Sequence, residues 1–340
     1  PSSSVPAVLV FENARYQAAL SQALEPQTIE VVDCAPLGAC NPPSPYLAAR
    51  TIASVGATTR NLSTFRAETL PNLRLVQSAW YIAPDPADVP PTVNVALYFP
   101  DWSNETSAEY GADTMSEWMV GAVLAWRHRL AESEALFRRC AWSSEAPLSC
   151  PPVTDLTDHL ELGGKDTTIG VIGFGTVGKN VAEHFSALKL RVIVSTHSGP
   201  YSPVPAGLAW FGNDNDKVIR ESDFLIIAVS ETCCVNMINK TAFGLMKSNA
   251  VLLPLLSSHV DYGALYDALR SKQIGGAILD GTWPHPTLRF QDLDNVRMTP
   301  NVMMQPRRFW DQSAAYVAEN LKLLLAGKPL KGIVRERSDK

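Results

Sequence analysis

The fold of this chain is decided by residues 168–200, which read TIGVIGFGTVGKNVAEHFSALKLRVIVSTHSGP. A short apolar run at 169–172 leads into a glycine-rich turn, and the turn leads into a helical pattern of apolar residues. The turn consists of Gly173, Phe174, Gly175, Thr176, Val177 and Gly178. A second apolar run at 192–194 closes the unit. The stretch therefore predicts a strand, a tight turn, a helix and a second strand.

Each glycine of this turn has a separate physical role. Gly173 permits the tight turn, Gly175 lets the backbone approach phosphates, and Gly178 lets the helix pack close to the strand. The pyrophosphate of a dinucleotide would lie at the helix N-terminus, where free N–H groups favour an anion. We interpret the six turn residues as cofactor-binding rather than as an ordinary glycine-rich turn, because the whole unit is in register.

The residues after the second strand indicate which dinucleotide binds. An acidic residue there would bind the ribose hydroxyls of NAD. This chain has Thr196, His197 and Ser198 instead, and none of them repels a 2′-phosphate. The three are candidate cofactor-binding residues, and they favour NADP over NAD.

The bulk composition predicts an ordinary globular protein. A length of 340 residues suits two domains, and 46% of the residues are hydrophobic. The net charge of −5 gives no electrostatic reason to expect a nucleic-acid or membrane partner. No basic segment precedes the first apolar run, so we expect no signal peptide and a cytoplasmic location.

The cysteines predict free thiols in a reducing compartment. Cys233 and Cys234 are adjacent and do not bridge easily. No CxxC or Cys/His spacing suggests zinc, so no metal site is expected. The six cysteines are Cys34, Cys40, Cys140, Cys150, Cys233 and Cys234.

Alternating apolar runs and helical patterns predict two α/β domains. The first is a smaller, discontinuous, flavodoxin-like domain of residues 1–115 and 305–340, which would carry the substrate or act as a lid. The second is a Rossmann-type domain of residues 116–304 with a doubly wound parallel sheet. A long interdomain helix is expected at 111–130, irregular chain at 131–166, and a last helix at 311–326. The strands are predicted at 7–11, 28–32, 51–55, 73–77, 93–97, 169–172, 192–194, 223–229, 250–253, 276–279 and 296–298.

Several motifs, taken in order, resemble the D-isomer-specific 2-hydroxyacid dehydrogenase family. The resemblance covers about residues 70–334, and its helix around Met115 is similar to the glyoxylate/hydroxypyruvate reductase branch. It implies an NAD(P)-dependent oxidoreductase that forms a homodimer. It also implies cofactor contacts from Val229, Ser230, Leu256 and Asp280. The motifs are MSEWMV from 115, the glycine turn, SDFLIIAV from 222, VDYGALYDALR from 260, LDGTWPHP from 279, NVRMTP from 295 and ENLKLLLAGKPL from 319.

The catalytic positions depart from the family pattern. The family uses an Arg to clamp the substrate, a His as acid/base on the carbonyl oxygen, and a Glu that raises the pKa of that His. The matching positions here read Leu256 for the Arg, His285 for the Glu and Asn301 for the His. Leu256 cannot bind a carboxylate, and Asn301 can hydrogen-bond a carbonyl but cannot shuttle a proton. The candidate catalytic residues are therefore His285, Asn301 and Ser257.

An aromatic group on the loops around the cofactor indicates a ligand pocket, with simple interdomain packing as the alternative. This favours an NAD(P)-dependent oxidoreductase acting on an apolar or aromatic small molecule other than a simple 2-hydroxy or 2-oxo acid. Two alternatives remain open: a nucleotide-binding pseudoenzyme serving as sensor or scaffold, and a non-redox lyase or cyclase. The pocket residues are Trp80, Tyr81, Trp102, Trp283 and Trp310.

Overall fold

The computed structural model divides the chain into two compact units. Unit 1 comprises Pro1–Ala108 and Gln305–Lys340, and unit 2 comprises Glu109–Met304. The sequence places the first boundary at residue 115. The structure describes residues 5–34, 40, 44–56, 69–79, 89–97, 105–138, 166–197, 204–229, 234–281, 288–303 and 307–336.

The strands of the described residues are short and mostly buried. They are β1 (Ala7–Val10), β2 (Glu30–Asp33), β3 (Thr51–Val55), β4 (Leu75–Gln77), β5 (Asn94–Ala96), β6 (Thr168–Ile172), β7 (Arg191–Ser195), β8 (Trp210–Gly212), β9 (Phe224–Ile227), β10 (Val251–Pro254), β11 (Gly276–Asp280), β12 (Val296–Thr299) and β13 (Ile333–Arg335).

The helices lie between these strands. They are α1 (Ala14–Leu24), α2 (Pro45–Ala48), α3 (Glu105–Arg127), α4 (Leu130–Arg138), α5 (Thr176–Ala187), α6 (Asn215–Glu221), α7 (Lys240–Leu245), α8 (Tyr262–Arg270) and α9 (Arg307–Leu325).

Unit 1 is built on a sheet with the strand order β2-β1-β3-β4-β5-β13, in which only β13 is antiparallel to its neighbour. The five parallel strands follow the flavodoxin order 2-1-3-4-5. Helix α1 begins at the N-cap Asn13, whose side chain accepts a hydrogen bond from the Tyr16 N–H. Tyr16, Leu20 and Leu24 form its buried stripe, and they share one hydrophobic core with α9.

Unit 2 is built on a parallel sheet with the order β8-β7-β6-β9-β10-β11-β12. Counted within the unit this is 3-2-1-4-5-6-7, the doubly wound Rossmann arrangement. The order reverses between β6 and β9, and ligands bind such sheets at the carboxyl ends of the strands beside that point. The predicted α/β fold class is confirmed, and the glycine turn follows β6 at this reversal point.

Three local predictions are wrong. Residues 130–138 form α4 within a segment expected to be irregular, and the strands β8 and β13 have no counterpart in the prediction. The third wrong prediction is that the cysteines are free thiols. Cys34 and Cys40 form a buried disulfide with their Cα atoms 5.3 Å apart, because Cys40 returns over the end of β2. Cys234 is disulfide-bonded as well.

Neither a membrane-spanning helix nor a cluster of metal ligands occurs among the described residues. None of the helices there combines the length and the apolar character that crossing a membrane requires. Within the same ranges, no group of three or more His, Cys, Asp or Glu side chains is arranged to hold a metal ion.

Asn320 provides a test of unit 1 because it links three parts of the unit. Its fully buried side chain donates to Gln77 Oε1 (2.8 Å) and to the Lys331 carbonyl (2.9 Å), and accepts from the Lys331 N–H (2.8 Å). We expect Asn320→Ala to lower the free energy of unfolding by about 2–4 kcal/mol, because Gln77 is left buried without this partner. Urea denaturation measures this. The control is Glu319→Ala, which removes only an exposed ion pair to Lys331 and costs about 0–1 kcal/mol.

Candidate active site

Two glycines of the turn are required by the fold itself. Gly173 has a φ of +103°, and a Cβ there would lie 2.4 Å from the Ala228 carbonyl oxygen at the end of β9. A Cβ at Gly178 would lie 2.1 Å from the Gly173 carbonyl oxygen. Both distances are far below van der Waals contact. Any side chain at either position would push α5 and β9 away from the turn.

Gly175 differs from Gly173 and Gly178, because no described part of the fold requires a glycine at this position. It is the N-cap of α5 with no side-chain capping bond, and a Cβ there meets no atom within 4 Å. Gly175 and Thr176 are exposed. The first N–H groups of α5 therefore face open space, which fits the pyrophosphate of a dinucleotide.

Phe174 packs the turn against β8, two strands away from β6 in the sheet. Its ring packs edge-on against Phe211 of β8, with 4.9 Å between ring centroids. Val177 packs on the buried core of the same unit, which includes Val181 and Phe185 of α5. Sequence reasoning missed Phe211 because it lies on the unpredicted strand β8.

The residues after β7 lie at the same edge of the sheet. Thr196 is nearly buried, and its N–H donates to the Gly212 carbonyl (2.9 Å), whereas His197 is exposed. Neither side chain is acidic. The carboxylate that follows β8, Asp214, caps α6 by accepting from the Lys217 N–H (2.9 Å). An imidazole is thus the group presented at the end of β7.

The ends of β9 and β10 add uncharged groups to this edge. Val229 is half-buried after β9. Leu256 is half-buried and is the N-cap of a 3-10 turn, Ser257–His259, with no side-chain capping bond. Ser257 is half-buried, and its carbonyl accepts from the Val260 N–H (3.1 Å). An apolar side chain and a hydroxyl therefore follow β10.

Asp280 connects the ends of β11 and β12. Its Oδ1 accepts from Thr299 Oγ1 (2.5 Å) and from the Val302 N–H (2.9 Å), and its Oδ2 accepts from the Met303 N–H (2.8 Å). Asn301 lies within this loop in the left-handed region, at φ +58°, and is exposed. The carboxylate predicted to bind the cofactor thus holds the loop that presents Asn301. The sequence contained no signal for this, because nothing in it pairs residue 280 with 299–303.

Among the remaining predicted residues, only Trp310 lies within the described ranges, and it belongs to unit 1. Trp310 is buried in the core of unit 1, edge-on to Tyr16 with 5.7 Å between ring centroids. Its ring therefore packs within that core. The residues that lie outside the described ranges are Trp80, Tyr81, Trp102, Ser198, Ser230, Trp283 and His285.

Comparison with known proteins agrees with this geometry. The family described as "D-isomer specific 2-hydroxyacid dehydrogenase, NAD binding domain" matches residues 120–306. A glyoxylate reductase of Pyrococcus furiosus is 28% identical over 261 residues, which cover 75% of this chain and 73% of that protein.

Solved structures share the fold along nearly the whole chain. An NAD-dependent formate dehydrogenase of Staphylococcus aureus in complex with NAD has a TM-score of 0.73 at 17% identity, over 98% of this chain and 99% of that one. An NADPH-dependent glyoxylate/hydroxypyruvate reductase of Sinorhizobium meliloti in complex with NADP and malonate has a TM-score of 0.69 at 19% identity, with the same coverage.

The contrast between two glycines tests the assigned role of the turn. We expect Gly175→Ala to leave the free energy of unfolding within about 0.5 kcal/mol, since its methyl group enters open space. If the turn binds the pyrophosphate, the same methyl group obstructs the close approach of a phosphate, and we expect the Kd for NADPH to rise about tenfold or more. Gly178→Ala is the matched variant and lowers stability by about 1–3 kcal/mol. Urea denaturation and calorimetric titration measure the two effects. Unchanged NADPH binding in Gly175→Ala would remove the turn from the cofactor site.

Proposed function

Because this chain belongs to the D-isomer specific 2-hydroxyacid dehydrogenase family, we propose that it is an NAD(P)-dependent oxidoreductase with a rebuilt catalytic site. Its substrate is a small apolar or aromatic carbonyl compound or alcohol, other than a simple 2-hydroxy or 2-oxo acid. The observation that carries this proposal is the loop at Asn301, which Asp280 holds through three hydrogen bonds.

The dinucleotide is assigned to the edge described above. A bound nicotinamide dinucleotide supplies or accepts the hydride. The open N-terminus of α5 binds its pyrophosphate, and Gly173 and Gly178 keep that terminus against β6 and β9. NADP is the preferred form because of the residue after β7. An acidic residue at that position would repel the 2′-phosphate of NADP, and this chain has His197 there instead. The solved structures of similar fold include one complex with NADP and one with NAD, so the preference rests on the residue after β7.

Asn301 is the group we assign to the substrate carbonyl. Its amide Nδ2 donates a hydrogen bond to the carbonyl oxygen, and this bond strengthens as negative charge develops there. An amide has no proton to transfer near neutral pH. The proton therefore comes from another group, and the Ser257 hydroxyl after β10 and His285 are the candidates.

Leu256 argues against a carboxylate group on the substrate. A 2-oxo acid needs a charge-assisted, bidentate partner for its carboxylate. The half-buried Leu256 offers only apolar surface at the end of β10. An uncharged substituent next to the reacting carbon fits this surface better than a carboxylate.

Two broader properties remain predictions. A homodimer follows from the resemblance to the family, and light scattering of the purified protein measures it. A cytoplasmic location is expected from the sequence, but the Cys34–Cys40 disulfide counts against it, because such bonds are rare in reducing compartments.

Titration of the purified chain with NADPH, NADP+, NADH and NAD+ is the primary test. We expect saturable binding with NADPH favoured, and NADPH-dependent reduction of aromatic or aliphatic aldehydes and ketones faster than of glyoxylate or hydroxypyruvate. Absence of binding at millimolar cofactor contradicts the proposal. Binding without turnover of any carbonyl compound favours a nucleotide-binding pseudoenzyme. Glyoxylate reduction at rates ordinary for the family would show that the assignment of the catalytic positions is wrong.

Asn301→Gly separates catalysis from cofactor binding. Glycine adopts φ +58° without strain, so the variant removes the amide and leaves the loop intact. We expect kcat to fall about tenfold to a hundredfold, because one hydrogen bond to the developing oxyanion is lost. The Kd for NADPH should change less than about twofold.

Asp280→Ala then distinguishes the two roles of Asp280. If Asp280 only positions the Asn301 loop, we expect Asp280→Ala to lower kcat to a similar extent, because the loop is released. The Kd for NADPH should then stay unchanged. A large rise in this Kd would assign Asp280 to the cofactor instead. Steady-state kinetics and calorimetry give both numbers, and the exposed Gln291→Ala on the same unit is the control.

A further inference from the structure

The disulfide-bonded cysteines of the described residues differ in exposure. Cys34 and Cys40 bond each other and are 0% and 1% exposed. Cys234 is disulfide-bonded as well, but it lies in the exposed stretch 234–236 that follows β9. Because Cys34 and Cys40 are already paired, the partner of Cys234 is one of the three cysteines outside the described ranges. A thiol reagent in solution therefore meets Cys234, whereas the Cys34–Cys40 bond is shielded by the core of unit 1.

The chain around Cys234 has an uncommon backbone conformation. Cys234 has a φ of +67° and Asn236 a φ of +54°, so both lie in the left-handed region. Asparagine tolerates this region better than other non-glycine residues, and cysteine does not share that tolerance. The Met237 N–H donates to the Cys234 carbonyl (3.1 Å) and closes a turn around the exposed Val235. A residue stays in such a conformation only where its surroundings fix it, and the disulfide is the covalent part of those surroundings.

Three backbone hydrogen bonds attach this turn to the segment that follows β10. The N–H groups of Asn236 and Ile238 donate to the carbonyls of Ser258 and His259, each over 3.0 Å. The Ile238 carbonyl accepts from the Asp261 N–H, also over 3.0 Å. Ile238 is fully buried in the core of unit 2, so the attachment is fixed at that residue. The bond from Asn236 lies in the exposed stretch and depends on the turn at Cys234.

The attached segment carries two residues of the candidate site. Leu256 and Ser257 directly precede Ser258, and they follow β10 at the edge of the sheet where the glycine turn lies. Val229, another candidate cofactor contact, precedes Cys234 on the same loop after β9. The turn at Cys234 is thus joined to the candidate site through the chain on one side and through hydrogen bonds on the other.

We propose that Cys234 is a site of reversible thiol–disulfide exchange, and that the oxidised form binds the cofactor more tightly. The co-reactant is a dithiol. One of its thiolates attacks a sulfur of the bond at Cys234 and releases one protein thiol. The second thiolate then displaces the other protein thiol from the mixed disulfide, so the dithiol ends as a disulfide. The protein gains the two electrons and two protons that the dithiol loses.

Reduction changes affinity because the bond at Cys234 holds the turn in one conformation. Without the bond, the turn samples more conformations, and a smaller fraction of the molecules presents a preformed cofactor site. This effect on affinity rests on the proposed function. The exchange at Cys234 itself does not, because it depends only on exposure and on the presence of the bond.

Thiol trapping under native conditions tests the exchange without any cofactor. The full chain, purified without reductant, is incubated with dithiothreitol, blocked with iodoacetamide and mapped by peptide mass spectrometry. We expect alkylated Cys234 with the Cys34–Cys40 bond intact, and return of the bond at Cys234 after treatment with oxidised glutathione. Cys234 that is reduced only together with Cys34 and Cys40 overturns the proposal. A free Cys234 thiol in the chain before dithiothreitol is added overturns it as well.

Calorimetric titration of the two redox forms with NADPH tests the effect on affinity. We expect the Kd to rise about threefold to tenfold on reduction and to return on reoxidation. Cys234→Ser should bind as the reduced chain does and no longer respond to dithiothreitol. Val235→Ser keeps the disulfide and changes an exposed neighbour, so this matched control should respond as the unmodified chain does.

The outcomes separate this inference from the proposed function. Equal Kd values in the two redox forms overturn the effect on affinity. Absence of NADPH binding in both forms overturns that effect together with the proposed function, whereas the trapping result at Cys234 stands by itself.

Discussion

The close approach of the backbone at Gly173, Gly178 and Ala228 is the constraint on which the second unit depends. Three elements meet there: the end of β6, the first turn of α5 and the end of β9. A Cβ on either glycine would lie closer than 2.5 Å to a carbonyl oxygen. Because the backbones touch, the helix N-terminus lies at the reversal point of the sheet, where a ligand enters.

A second constraint acts at the same edge, where Asp280 joins the ends of two strands. The Asp280 carboxylate accepts two backbone N–H groups and one hydroxyl from the loop after β12. That loop carries Asn301 in a left-handed conformation. The charged Asp280 thus keeps the uncharged candidate catalytic residue Asn301 in place. Hydrogen bonds to an ionised carboxylate are suited to this role because they are stronger than those between neutral groups.

The two edges of the parallel sheet have different electrostatic character. Around the turn, the described side chains are mostly uncharged, and the groups proposed to bind the pyrophosphate are backbone N–H groups. At the opposite edge, arginine and lysine side chains lie beside two carboxylates around the start of β12. The strands β11 and β12 run from one edge to the other.

The sequence by itself determined the fold class, because the buried strands of a parallel sheet are apolar along their whole length and their spacing shows the helices between them. It also determined the glycine turn from the spacing of Gly173, Gly175 and Gly178, although the contact that requires Gly173 is made with Ala228 at the end of β9. It did not predict β8 or β13, which have only three residues each, or α4 beyond the end of α3. Only the tertiary structure decided the Cys34–Cys40 disulfide, the loop held by Asp280 and the burial of Trp310. These depend on residues far apart in the chain, or on how the chain turns back on itself, and neither leaves a pattern in the sequence.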